Sequence, residues 1–395
     1  MRYPLLNYLV DPASGQPFRV VESVRTIPCS AADWTRCTRW CGRYGQTPDQ
    51  VDPSACEPCL QEEVVEGTLQ SEAGAAYPIL RGIPRILDDS YLALVEGLPA
   101  DWVKGHRKPS VSRPSEFESV QIRTVKAFAE EWRYFSENLS DYGPIAQCYF
   151  DLLSPKQLAG VTLDAGCGMG RWARHVAGPG DALIAMDLSA SVEVAAKTLE
   201  GLPNTHVVQS DLHALPFRPD TFDLIYSLGV LHHLPVPEQG LKALVKHLRP
   251  DGYLLAYFYY ALDNRPRYFH YLLPVVMGLR LVISRLPHRL ALWISFVIAL
   301  ALYWPLIQVG NLLRALGFKA AARQVPLHEF YTGKPFRILF NDSVDRFATS
   351  VEFRFSRTEI AAMLARVGLS DIRFSDTVPF WKVAAKRKPA PMPPQ

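Results

Sequence analysis

Asp164, Gly166, Gly168 and Gly170 stand two residues apart in Val161-Thr-Leu-Asp-Ala-Gly-Cys-Gly-Met-Gly170, a spacing suited to ligand binding. Glycines let the backbone turn sharply and bring a ligand against the main chain, where any Cβ would intrude. Cys167 lies inside the same turn, and Arg171 onward reads as a helix whose first N–H groups are unpaired. A dinucleotide fingerprint, G-x-G-x-x-G, is the obvious rival. Here the period is G-x-G-x-G and an acid precedes it, which would repel a pyrophosphate and suits a ligand carrying cationic groups. Two more acids close apolar runs, Asp187 after Leu183-Ile-Ala-Met and Asp211 after His206-Val-Val-Gln-Ser, each with a leucine behind it, Leu188 and Leu212. Ser227 lies near the end of a fourth run, and His232-His233 follow. A histidine titrates at about 6.5 when unperturbed, so one placed there could take a proton from a hydroxyl nucleophile; scaffold at the start of a helix is the competing reading.

On these residues the chain resembles the class I S-adenosylmethionine-dependent methyltransferases, whose first motif reads D/E-x-G-x-G-x-G. Asp187 falls twenty-three positions after Asp164 (187 minus 164), and Phe222 to Pro235 and Leu248-Arg-Pro-Asp-Gly-Tyr-Leu-Leu-Ala-Tyr257 resemble the fourth and fifth strands of that family. The resemblance implies an α/β fold, a doubly wound, seven-stranded, mostly parallel sheet, and S-adenosyl-L-methionine as cofactor. It also implies roles. Asp164 would fix the glycine turn (Gly166, Cys167, Gly168, Gly170) and the cofactor's amino group, Asp187 would accept from the ribose hydroxyls, and Asp211 from the adenine amine. Leu188, Leu212 and Ser227 would complete the cofactor site, with His232 and His233 beside the acceptor.

The elements that must position these residues come next. Apolar strands alternate with helical patterns from 160 to 260, as a parallel sheet covered on both faces requires. The core is expected over 116–260 and 356–388, ending in a helix from Ser356 to Val367 and two strands, Asp371 to Ser375 and Phe380 to Ala385. Phe117 to Asn138 has a helical apolar rhythm. In similar methyltransferases such a helix folds over the cofactor, which would bring Phe128, Glu131 and Trp132 to the site; plain packing on the sheet is the preferred reading.

Residues 1–90 read as a β-rich module, and Tyr77-Pro-Ile-Leu-Arg-Gly-Ile-Pro84 resembles the zinc-ribbon-like partner domain of the tRNA-methyltransferase-activator type. Asp11, Ser14, Ser71 and Gly74 stand where the cysteine pairs of that ribbon are expected. Five cysteines fall between 29 and 59 instead. Cys37, Cys41, Cys56 and Cys59 could supply a tetrahedral structural zinc site, with Cys29 spare, and reduced cysteines in a loop are the alternative. Residues 91–115 read as a linker and 389–395 as a disordered tail.

Residues 261–355 interrupt the core. Leu290 to Ile307 is apolar for eighteen residues except for Ser295, near the lower limit for a membrane span. Sheet strands before and after the insertion must lie on one side of a membrane, so a single crossing is excluded. A two-helix hairpin dipping into the bilayer, a monotopic patch, a lipid-facing lid or buried core helices remain, and Pro335 to Phe347 reads as a polar-aromatic loop near the acceptor.

Of the 395 residues, 48% are hydrophobic and 21% charged, enough for a real core, and a net charge of +3 gives no strong nucleic-acid footprint. The first residues show no signal-peptide cleavage site, so a cytoplasmic protein is expected, peripheral on the inner face of the membrane. The function expected is methyl transfer to a hydrophobic small molecule or lipid-linked acceptor. The alternatives are an RNA or protein methyltransferase docking through the N-terminal module, a non-catalytic cofactor-binding scaffold, and a nicotinamide oxidoreductase.

Overall fold

A computed structural model describes residues 1–29, 37–106, 115–136, 142–178, 181–263, 265–349, 351–379 and 381–389. The tail, Phe380 and parts of the linker and of the helix expected to Asn138 lie outside the described residues.

Eleven strands form one sheet: β1 (Phe18–Pro28), β2 (Glu62–Ser71), β3 (Ala76–Leu80), β4 (Ile83–Ile86), β5 (Val161–Ala165), β6 (Ala182–Asp187), β7 (Thr205–Ser210), β8 (Phe222–Leu228), β9 (Leu248–Tyr257), β10 (Leu369–Phe374) and β11 (Lys382–Arg387). Their order is β1-β2-β3-β4-β7-β6-β5-β8-β9-β11-β10. The last seven places are the expected doubly wound core, parallel from β7 through β9 and closed by antiparallel β11 and β10. Every residue of β5 is buried, as a strand covered on both faces must be.

The sheet thus has eleven strands rather than seven. The N-terminal module adds its strands in line, with β4 parallel to β7 through Arg85↔Gln209 and Ile86↔Ser210. Without that pairing β7 would expose a row of unpaired backbone groups, and covering the edge removes this liability. Arg85, 1% exposed, ties the join: it donates to Gln209 Oε1 at 2.9 Å and pairs with Glu193 at 2.5 Å.

Ser115 caps the helix Glu116–Tyr134 with Glu118 in a capping box, and Ser356 with Glu359 does the same for Arg357–Arg366. The insertion carries a helix Tyr268–Ile283 and then a continuous helix His288–Ala315. A π-helical turn at Ala299–Tyr303 lies just before Pro305, which has no N–H to give to a regular ladder. His288–Ala315 is long and apolar enough to cross a membrane by length and composition alone, with a mean hydropathy of 2.2 and 28% of its apolar window buried. The segment read as a loop near 335–347 is a helix, Phe336–Ala348. Its polar residues disguise it because Asn341 and Ser343 point into the protein and are buried.

Candidate active site

The order of β6, β5, β8 and β9 puts the point where the winding reverses between β5 and β8, and the crevice at their carboxyl ends is where such sheets bind ligands. A cavity opens there. Gly166, Cys167 and Gly168 line it from the turn after β5, Asp187 and Leu188 from the end of β6, Asp211 and Leu212 from beyond β7, and His233 from beyond β8. The sheet therefore brings together residues scattered over about 70 positions.

Asp187 holds the turn directly: its Oδ2 accepts from Gly168 N–H at 2.9 Å and its Oδ1 from Ser189 N–H at 2.8 Å. Burial pushes its carboxyl up against those hydrogen bonds. Asp211 Oδ1 accepts from Gln121 Nε2 at 3.2 Å and from His213 N–H at 3.1 Å. Gly168 has a φ of +53°, and a Cβ on it would stand 2.9 Å from Trp132 Nε1. The helix Glu116–Tyr134 therefore closes over the turn. Phe128 and Trp132 line the cavity, so packing alone does not account for them. Glu131 is 2% exposed and accepts from Asn341 Nδ2 at 2.5 Å; burial and the nearby Asp345 charge hold its carboxyl well above the usual range.

Four expected site residues do not line the cavity. Asp164 is 1% exposed beneath the turn, and burial pushes its carboxyl up to about 8. The Tyr226 hydroxyl is near enough to draw it down but not aligned for a regular hydrogen bond, so both oxygens are orphaned. Gly170, at φ +77°, sits 3.4 Å by its would-be Cβ from Ala195 and serves helix packing. Ser227 is fully buried and donates to Ala165 O at 2.8 Å, clamping β8 to β5. His232 is buried behind the wall and stacks on Tyr259 at 3.9 Å between ring centroids.

His233 differs from its neighbour. Its Nδ1 lies 2.6 Å from Val351 O, so the ring carries its proton there and leaves Nε2 as acceptor, 3.8 Å from Asp345 Oδ1. Burial lowers its pKa although Asp345 opposes the shift, while burial raises that of Asp345. Tyr259 donates its hydroxyl to Asp345 Oδ2. A buried tyrosine, carboxyl and imidazole thus meet at the cavity, able to hold and move one proton. Sequence reasoning missed Tyr259 and Asp345 as site residues, and it missed Arg171, whose guanidinium lies 4.4 Å from the Trp132 ring and 4.6 Å from that of Trp172. Arg171 lines the cavity and offers a charge to a ligand carboxylate.

A second cavity of about 400 Å³ begins at Tyr257 and Tyr259, which line both. Leu272, Leu273, Val276, Leu302 and Leu306 of the insertion give it an apolar side, and Arg265, Asp342, Arg346 and Arg354 a charged one.

Among the described residues, no group of three or more His, Cys, Asp and Glu side chains is placed to hold a metal ion. Cys41 and Cys59 share a hydrogen bond that lowers the Cys41 thiol, and burial with the nearby Cys41 and Cys56 pushes Cys37 up to about 12. A zinc centre at Cys37, Cys41, Cys56 and Cys59 is not shown, although these thiols act on one another.

Residues 163–256 match the family model "Methyltransferase domain". The malonyl-[acyl-carrier protein] O-methyltransferase of Enterobacter lignolyticus is 34% identical over 104 residues, 26% of this chain and 40% of that protein. The ubiquinone biosynthesis O-methyltransferase of Saccharophagus degradans is 25% identical over 179 residues, 43% of this chain and 72% of that one. Human N-acetylserotonin methyltransferase, solved with S-adenosylmethionine, aligns at a TM-score of 0.38 and 17% identity over 70% of this chain and 57% of its own. The chain spans 25%, 40% and 49% of the length of the first three curated relatives it matches.

Proposed function

Proceeding from a methyltransferase domain over residues 163–256, we propose that the protein is an S-adenosylmethionine-dependent methyltransferase that methylates an oxygen of a hydrophobic small molecule or lipid-linked acceptor. The observation that carries this reading is the junction of two cavities at Tyr257 and Tyr259, one walled by the glycine turn and acids and the other by apolar side chains and arginines.

The residues present fit the cofactor. Asp187 and Asp211 offer acceptors to ribose and adenine and Arg171 a cation to the methionyl carboxylate, while Asp164 stays buried beneath the turn with both oxygens unpartnered. When bound, the sulfonium supplies an activated methyl group. The chain's own part is to hold the acceptor in line and keep water out, which can account for several kcal/mol, roughly 7–11 at best. His233 Nε2 then takes the acceptor's proton, and Asp345, 3.8 Å away and held by the Tyr259 hydroxyl, stabilises the charged ring. Both curated relatives cited are O-methyltransferases by name, which agrees with a base at this position.

The test is incubation of the purified chain with methyl-labelled cofactor and a cellular lipid extract, followed by phase separation and mass spectrometry. Label in the organic phase, lost in Asp345→Asn, is the expected result. Label confined to RNA or protein would replace the acceptor class, and no cofactor binding by calorimetry would leave only a scaffold.

A further inference from the structure

Between Asp263 and Glu329 the chain holds no acidic residue and eight cationic ones. Two of these are used internally: Arg265 pairs with Glu329 at 3.3 Å, and Arg280 is buried against Thr349 and Glu352. Arg267, Arg285, Arg289, Arg314, Lys319 and Arg323 are exposed, and none is in an ion pair among the described residues. The same segment displays large apolar side chains: Tyr271 is 79% exposed, Trp293 64%, Val282 62% and Phe318 61%. Leu272 and Leu302, 46% and 51% exposed, also line the second cavity, so that cavity reaches this surface.

We propose that the insertion is a monotopic dock for an anionic lipid bilayer, and that the acceptor enters the second cavity from the bilayer past Leu272 and Leu302. The entry route rests on the methyltransferase reading, whereas the dock does not. An apolar face rimmed by cations matches what lies in a headgroup layer. A second copy docked through this segment would set its cations against cations, with no acid in the segment itself to answer them. A single crossing is excluded because β9 and β11, on either side of the insertion, pair residue for residue from Lys382↔Tyr257 to Lys386↔Tyr253.

The experiment is sedimentation of the full chain with phosphatidylcholine vesicles, with and without phosphatidylglycerol, alongside its tryptophan emission. Anionic vesicles should bind it at least about tenfold better, with a blue shift from Trp293 and Trp304, and added salt should weaken binding. Combining Arg285→Glu, Arg289→Glu and Arg314→Glu should cost about tenfold or more in vesicle binding while melting temperature and cofactor affinity stay unchanged. Wild-type chain left in the supernatant, binding indifferent to lipid charge, or apolar side chains buried in a dimer by sedimentation velocity would each overturn the dock. Vesicle binding without cofactor binding would overturn the methyltransferase reading alone. Loss of organic-phase methylation of a lipid acceptor in neutral vesicles, restored in anionic ones, is expected for the entry route, and equal rates in both would overturn it.

Discussion

At the scale of single residues, His233 is set apart from His232 by what its ring touches. One nitrogen lies 2.6 Å from a backbone carbonyl and the other is left as an acceptor beside Asp345. Because burial lowers its pKa, the ring takes up its second proton only at lower pH than a free histidine does. The rate should therefore fall on acidification with a midpoint below that of an ordinary histidine, as Nε2 gains a proton. His233→Ala should lower kcat by about 100-fold or more with little change in cofactor affinity, measured as a pH–rate profile with calorimetry beside it. A profile that falls at ordinary histidine pH, or a variant with normal kcat, would remove His233 from the proton path. The histidine pair was legible in the sequence, but its partners were not. Asp345 lies 112 positions beyond His233 on a helix that the local pattern disguised, and only the fold brings them together.

At the scale of elements, the turn after β5 is the part most fully written in the sequence. Its strand, acid, alternating glycines and helix are local, and local rules decide them. What the sequence left open is whether the helix Glu116–Tyr134 rests on that turn, since its amphipathic rhythm fits a packing helix equally well. Gly168 feels both constraints: its φ of +53° disfavours a side chain, and an added Cβ would meet the Trp132 indole at 2.9 Å. Gly168→Ala should cost about 1 kcal/mol in backbone strain and lower cofactor affinity further by displacing Trp132. Calorimetric titration of the variant checks this, and unchanged affinity would show that the turn and indole are not part of the ligand bed.

At the scale of the whole molecule, one sheet carries both the N-terminal module and the core. Four of the core's strands, β5 to β8, were legible because each is an apolar run with a marked residue at its end, and β9 to β11 were legible from the family resemblance. The join was not, because a strand pairing between Ile83–Ile86 and Thr205–Ser210 leaves no local trace. Glu193→Ala would strand the buried Arg85 guanidinium, which usually costs about 3 kcal/mol or more. A scanning calorimeter should then record one transition at lower temperature, since module and core share a sheet. Two separate transitions would mean that they melt independently.

The pairing of Arg85 with Gln209 spans 124 positions (209 minus 85), and synthesis proceeds from the other end. On the ribosome, β4 emerges long before its parallel neighbour exists, and loop closure on this scale is slow. For that interval the margin of β4 has no partner strand, a surface suited to chaperones and hazardous in their absence.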